Sequence, residues 1–242
     1  MNKSKLKSVN KNKKYRSFLY SVEKAYGVKS DIFILDYANA VDEDFNELQE
    51  KCSKLNITVL INNAGVSHTM PTPFVQESRE TLNQIIQVNC TSTVQVTRSI
   101  LPVMIKNKSG GLVLNMGSVS AELKTPLLQT YAGSKAFLSV WSQALAEEVA
   151  EHGIHVELLN THFVTTNMSK IRRSSWTCPT PKSYVACVLA RCGNAFFSTL
   201  HPGHAVVIAA MSLIPNWILR SLTLKQMKAT RKHALAKASR AK

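Results

Sequence analysis

Apolar residues along this chain fall into two alternating patterns. Short runs rich in leucine and β-branched residues occur at 31–35 (DIFIL), 57–61 (ITVLI), 112–116 (LVLNM) and 154–159 (IHVELL). Such brief, nearly continuous apolar runs are the signature of strands buried on both faces of a parallel sheet. Between them lie stretches in which apolar residues recur at helical spacing, over 17–26, 41–55, 77–104 and 130–150. The first of these is closed by Gly27, a helix stop signal. Gly110 and Gly111 turn the chain into the strand at 112–116. Strand and helix alternate throughout, which predicts an α/β fold: a doubly wound parallel sheet with helices on both faces.

Past residue 160 the pattern changes. A segment THFVTTNM at 161–168 leads into a loop over 174–183 that contains serine and proline. From 192 to 219 there is no Asp, Glu, Lys or Arg, and 204–219 is the most apolar part of the chain. Pro215 interrupts that part, and the run is short for a spanning helix, which needs about 20 residues. Core helix, interfacial helix and re-entrant segment all remain open, and Trp217 followed by a basic tail favours the membrane interface.

Composition adds one fact that changes the picture. The formal net charge is +15, yet it is confined to the ends. Residues 1–16 hold seven Lys or Arg and residues 220–242 hold eight, with no acid in either, so the body between them balances at zero. A neutral body with basic tails fits an anionic membrane surface. No aromatic-rich RNA-binding strand or zinc-knuckle spacing supports nucleic acid as the partner. The five cysteines include no C-x-x-C pair and read as reduced thiols of a cytosolic redox environment. No signal peptide opens the chain and no internal repeat is found.

Candidate chemistry lies between 118 and 135. Tyr131 and Lys135 are four residues apart, so on a helix they share one face. A free tyrosine, with a pKa near 10, is a poor acid at neutral pH, and an ammonium group one turn away favours the phenolate. Ser118 directly follows the 112–116 strand, at the strand end where open α/β sheets present their sites. Hydroxyl, tuned phenol and ammonium together form a proton-delivery set for a carbonyl or alcohol carbon.

Four features now stand in one order: Asn62-Asn63-Ala64-Gly65 after a strand, Asn89 in the next helix, Ser118 after the next strand, and Tyr131-x-x-x-Lys135. Over roughly residues 30 to 190 this resembles the short-chain dehydrogenase/reductase family. The resemblance implies that Tyr131 donates the proton, that Ser118 polarises the carbonyl, and that Lys135 lowers the phenol pKa while holding the nicotinamide ribose. It implies that Asn89 keeps a water in a proton relay, that Asp36 meets the adenine, and that Asn63, Ala64 and Gly65 pass the adenine ribose. Val164 and Thr166 match the loop beside the nicotinamide carboxamide. Asn62 reads as a brace of its strand. Asn89 could instead only bend its helix, and Asp36 could only cap the helix that follows.

A narrower resemblance rests on residues 167–175 (NMSKIRRSS), 179–182 (PTPK), the apolar segment and the basic tail. These are similar to fungal very-long-chain 3-oxoacyl-CoA reductases, membrane enzymes of the endoplasmic reticulum that serve fatty-acid elongation with NADPH. It implies a long-chain 3-oxoacyl-CoA substrate, neighbouring elongation enzymes as partners, a site facing the cytosol and a possible homo-oligomer. Arg172, Arg173 and the basic tail would meet CoA phosphates or lipid headgroups. Thr161-His162 stands where the wider family has Pro-Gly. The alternatives are a 17-beta-hydroxysteroid or other lipid-alcohol dehydrogenase, and a non-catalytic fragment acting only in membrane or partner association.

The family's opening strand, glycine-rich turn and helix have no counterpart among the nine glycines. The resemblance therefore implies a Rossmann-like domain lacking its first βαβ unit, as in an N-terminally truncated chain. The division expected is a basic segment at 1–16, an incomplete reductase domain at 17–200, and an apolar segment plus basic tail at 201–242. Preference for NADPH over NAD rests on the resemblance, and no metal is expected.

Overall fold

A computed structural model of the chain describes residues 3–240, which divide into two units, one ending at Asp36 and one beginning at Tyr37. In the first unit, helix α1 covers Lys3–Tyr26. Helix therefore begins well before residue 17, since lysine is a good helix former and nothing in 3–16 breaks the run. Gly27 ends it at φ 66°, a left-handed conformation open to glycine without a Cβ clash, and its N–H donates to the Glu23 carbonyl at 2.8 Å. The Glu23 carboxylate accepts from both the N–H and the hydroxyl of Ser30, at 2.8 Å each.

Residues 31–35 were expected as a strand, and this expectation is corrected: the segment is irregular and Ile34 is exposed. A strand exists only as one side of a ladder, and the described sheet includes no pairing for this segment.

The second unit is a four-stranded parallel sheet, β1 (Val59–Asn62), β2 (Gly111–Met116), β3 (Ile154–Leu159) and β4 (Phe197–Ser198), in that spatial order. Helix α2 (Asp42–Cys52) precedes β1, and the Asp44 carboxylate accepts from the Val41 N–H at its start. Between β1 and β2 run α3 (Arg79–Ile86), a single wide π turn (Gln87–Thr91) and α4 (Ser92–Asn107). A short α5 (Ser120–Leu123) and the long α6 (Gln129–Val149) link β2 to β3. Beyond β3 come α7 (Pro181–Leu189), then β4, α8 (Pro202–Ser212) and α9 (Asn216–Ser239). Neither α7 nor β4 is evident in the sequence pattern.

Alternation along each strand decides which face a residue joins. Leu60, Val113 and Val156 lie in register on one face, beneath α4 and α6, and are buried. Leu114 and Leu159 point to the other face and pack against Tyr184 and Val188 of α7. Burying one such side chain is worth about 1.5–3 kcal/mol. At β1 only the first face is covered: Val59 and Ile61 remain 50% exposed each. The sheet is thus wound on both faces at β2 and β3 and on one at its β1 edge.

Only Gly203 and His204 of α8 are buried. Gly203 is required there, because a Cβ would stand 2.1 Å from the Trp176 carbonyl oxygen. Pro215 breaks the apolar segment as expected, and the basic tail continues as α9, held by buried Thr223 and Met227. Arg231 of α9 donates to the Pro71 carbonyl (2.7 Å), the Thr72 hydroxyl (3.3 Å) and the Gln76 side-chain oxygen (2.7 Å). No helix among the described residues is long and apolar enough to cross a membrane.

Candidate active site

The site forms at the carboxyl ends of β1, β2 and β3. A chain of buried side chains fixes those ends in register. Asn62 donates to the Thr97 hydroxyl (2.9 Å) and to the Asn115 side-chain oxygen (2.7 Å), and Asn115 donates to the Ser142 hydroxyl (2.8 Å). Asn62 is therefore a brace between two strands and α4.

Asn89 sits inside the π turn and is fully buried. The extra residue of a π turn leaves helical pairing locally open, and such turns recur at functional sites. The Asn89 side chain accepts from the Val66 N–H (2.8 Å) and donates to the Val66 carbonyl (2.9 Å) and the Ser134 hydroxyl (2.9 Å). It thereby holds the chain just past Asn63, Ala64 and Gly65 against α6. A Cβ on Gly65 would stand 3.5 Å from Asn89 Oδ1 and 3.7 Å from Lys135 Nζ, filling the space between them.

Tyr131 and Lys135 share a face of α6, with Nζ 5.9 Å from the phenol ring centre. The Lys135 ammonium is buried and donates to the Met116 carbonyl at 2.7 Å. Burial disfavours its charge and lowers its pKa to about 8, with Cys90 acting in the opposite sense. The Ser118 hydroxyl acts on Tyr131 in the sense that favours the phenolate. Its oxygen also accepts from the N–H (3.2 Å) and hydroxyl (2.9 Å) of Ser120.

The expected lowering of the Tyr131 phenol pKa by Lys135 is not what this geometry produces. Burial raises the phenol above its ordinary value of 10, and the Ser118 hydroxyl opposes that rise.

Val164 and Thr166 lie in the loop after β3, folded around Ser169. The Ser169 hydroxyl donates to the Val164 carbonyl (2.6 Å) and accepts from the Thr166 N–H (3.1 Å). Lys170 of the same loop reaches the Thr69 carbonyl. Thr161 and Tyr184 share a hydrogen bond of 2.5 Å between their hydroxyl oxygens. Asp36 closes the first unit and is exposed, whereas the residues above all belong to the second unit.

Sequence reasoning missed Ser134, Val66 and the Met116 carbonyl. The last two act through the backbone, which leaves no mark in residue identity. The buried lysine with one carbonyl partner, and a Gly65 backbone that carries no side chain toward it, suit the nicotinamide riboside end of a dinucleotide. The described residues include no glycine-rich strand-turn-helix for its pyrophosphate.

This parallel sheet, with a Ser–Tyr–Lys set at its carboxyl edge, defines a Rossmann-like α/β protein. A family model for short chain dehydrogenases matches residues 8–176, and the chain belongs to that family. It is 45% identical over 223 residues to a very-long-chain 3-oxoacyl-CoA reductase of Mycosarcoma maydis, covering 89% of this chain and 63% of that protein. A protein of the same name from Coprinopsis cinerea is 43% identical over 210 residues, covering 82% of this chain and 62% of that protein. The chain thus spans a little under two thirds of the length of these curated relatives.

Among solved structures, it is similar to a 7beta-hydroxysteroid dehydrogenase (TM-score 0.74, 16% identity, 87% of this chain and 82% of that one). It is also similar to an Escherichia coli CFT073 short chain dehydrogenase complexed with NADPH (TM-score 0.66, 22% identity, 73% and 75%). At such identities these likenesses show the fold alone.

Proposed function

We propose that the chain serves the NADPH-dependent reduction of long-chain and very-long-chain 3-oxoacyl-CoA to 3-hydroxyacyl-CoA in fatty-acid elongation. The observation that carries this reading is buried Lys135 sharing a face of α6 with Tyr131, its Nζ 5.9 Å from the phenol ring centre, with Ser118 at the end of the neighbouring strand, in a chain whose fungal relatives bear that enzyme's name.

A bound nicotinamide supplies the hydride, and this chain's residues handle the oxygen. As hydride reaches C3, the carbonyl π electrons move to oxygen, and Tyr131 gives its hydroxyl proton to that oxygen. Ser118, already accepting two hydrogen bonds from Ser120, keeps its own proton to donate to the developing charge. Lys135, with a pKa of about 8, returns a proton to the phenolate near neutral pH. Lys135 would also hold the cofactor ribose, Val164 and Thr166 would line its carboxamide, and Asn63, Ala64 and Gly65 would pass its adenosine side. Asp36 is proposed as the adenine contact.

The α8 segment and the start of α9 supply the membrane surface. Leu213 and Trp217 are 85% and 75% exposed within a stretch free of charge, and α9 beyond them is basic and has no acid. Apolar side chains would enter the headgroup layer while Arg and Lys meet anionic lipid. The endoplasmic reticulum, with the site facing the cytosol, is the location this reading implies.

The test is NADPH consumption by the whole chain with acetoacetyl-CoA and a long-chain 3-oxoacyl-CoA. Turnover that disappears in Tyr131→Phe is expected. No turnover with either thioester, together with no NADPH-induced rise in Tm, overturns the reading.

A further inference from the structure

Arg231 turns inward from α9, the basic helix. Thr223, Met227 and Arg231 recur at four-residue spacing, so they share one face, and the first two are buried. Lys225, Lys228 and Lys232 of the same helix are exposed. Arg231 Nη1 donates to the Pro71 carbonyl (2.7 Å) and the Thr72 hydroxyl (3.3 Å), and Nη2 donates to Gln76 Oε1 (2.7 Å). These acceptors are neutral and lie at both ends of the turn 71–76. The planar fork, more than the charge, is what that turn requires.

The turn it grips leads to the helix of Tyr131. The Thr72 N–H donates to the Leu127 carbonyl at 2.8 Å. Leu127 sits at φ 63°, in the left-handed region, which a branched side chain enters only at a cost. A residue keeps such a conformation when its surroundings hold it there. Helix α6 begins directly afterwards: Leu128 is its N-cap, with no side-chain cap hydrogen bond, and Tyr131 is its third residue. The first N–H groups of a helix have no intrahelical partner, so an uncapped first turn depends on outside anchors. Those anchors come from the same loop. Glu77, next to Gln76, accepts from Gln129 Nε2 (2.9 Å) and the Thr130 hydroxyl (2.8 Å). Lys135, one turn further on, is held separately by the Met116 carbonyl.

We infer, on the basis of the reductase reading above, that Arg231 is a positioning residue for Tyr131. Arg231 holds the 71–76 turn, the turn holds Leu127 and the start of α6, and that start sets where the phenol stands relative to Ser118. Helix α9 also packs against α5, the helix of Ser120, whose N–H and hydroxyl donate to Ser118. The C-terminal helix thus reaches both sides of the proton-delivery set, and the basic tail is part of the scaffold of the site. Without Arg231, Leu127 is free to leave the left-handed region and the first turn of α6 is free to fray. The phenol is then displaced while the Lys135 end of the site stays in place.

The experiment measures kcat and KM with acetoacetyl-CoA, the calorimetric Kd of NADPH, and Tm, all on the whole chain. Arg231→Ala is expected to lower kcat about tenfold or more, since misplacing a reacting group by about 1 Å can cost about 10²-fold, and to leave the NADPH Kd within about twofold. Methylguanidinium, kept below the concentration that shifts Tm, is expected to restore part of that kcat, and methylammonium is not. Arg231→Lys keeps the charge but cannot span both ends of the turn, so it is expected to lose about as much as Arg231→Ala. Should Arg231→Ala fail to fold, Arg231→Lys and Gln76→Ala decide. Gln76→Ala is expected to lower kcat severalfold, and the double variant with Arg231→Lys to be no slower than Arg231→Lys alone. A kcat within about twofold of the parent in the folded Arg231 variants overturns the proposal and leaves Arg231 an anchor of α9 only. A parallel loss of kcat and NADPH binding, or a loss that the two added cations treat alike, does the same. If the parent chain reduces neither acetoacetyl-CoA nor a long-chain 3-oxoacyl-CoA, the reductase reading itself fails, and this proposal falls with it.

Discussion

At the carboxyl ends of β1, β2 and β3, the polar side chains of Asn62, Asn89, Asn115 and Ser134 all find partners within the chain. At the end of α8 and the start of α9 the reverse holds: Leu213, just past α8, and Trp217 are largely exposed. The first region is closed on itself, so its energetics can be perturbed one bond at a time. The second has its apolar groups unspent, so changes there are expected to leave folding almost untouched and to act on association. Burial of polar groups marks the chemistry, and exposure of apolar groups marks the surface for a partner.

The largest effect that would sharpen this contrast is at Tyr131. Tyr131→Phe removes the proton donor and is expected to lower kcat by about 10²–10⁴, read as NADPH oxidation at 340 nm, with Tm nearly unchanged. A fall of less than about tenfold would break the assignment of the proton donor.

Acid is the next probe. His204 is fully buried, its Nε2 3.0 Å from the Phe163 carbonyl and its Nδ1 accepting from the His162 N–H. That pattern suits only the neutral ring. Burial, with His201 and His162 nearby, lowers its pKa from 6.5 to about 4. The folded protein therefore binds fewer protons than the unfolded chain between pH 6.5 and 4. The stability is fully present above about 6.5 and falls as pH drops toward 4, by up to about 3 kcal/mol. Urea unfolding midpoints at pH 7 and pH 4.5 measure it, and a slope absent in His204→Phe but present in the parent chain assigns it.

Asn62→Ala takes a donor from both Thr97 and Asn115 inside the sheet, and a cost of about 1–3 kcal/mol is expected in denaturant unfolding. A neutral outcome would mean that the buried chain of amides is replaceable.

Lys135→Met joins activity to stability with opposite signs. Burial holds Lys135 near a pKa of 8, so the folded state binds fewer protons than the unfolded one between about 8 and 10.4. The charge is a cost below pH 8 that fades as pH rises through this window. The variant is expected to lose turnover, yet to melt a few degrees higher at pH 7 and at parity near pH 10. A lower Tm at pH 7 would show that the Met116 hydrogen bond outweighs the burial cost.

The smallest expected change in folding, within about 0.5 kcal/mol, belongs to the exposed region. Leu213→Ser combined with Trp217→Ser should leave the unfolding midpoint in place while reducing flotation with phosphatidylserine-containing vesicles severalfold. Retained flotation would move the membrane contact elsewhere.

Most of the second unit was legible in advance for a physical reason. The apolar runs at 112–116 and 154–159 are buried on both faces, so their pattern and their structure have the same cause. Asn62 to Gly65, Asn89, Ser118, Tyr131 and Lys135 were legible as an order of residue types. The strand expected at 31–35 did not form, because apolar composition does not supply a ladder partner. The helix over 3–16 was missed because a lysine run without apolar spacing carries no helical stripe. Strand β4 was missed because two residues are too short for any period.

The sequence by itself determined that residues 41–159 would alternate helix and strand, and that a phenol and an ammonium would share one helix face. It also determined that charge would be confined to the ends. Only the tertiary structure decided that Lys135 is buried on the Met116 carbonyl and that the phenol pKa moves upward. It alone brought His68 and Glu77 to the turn that carries Tyr131. The reason is that pKa direction and hydrogen-bond saturation depend on what surrounds a group. Those surroundings come from backbone atoms and from residues tens of positions away, which no local pattern records.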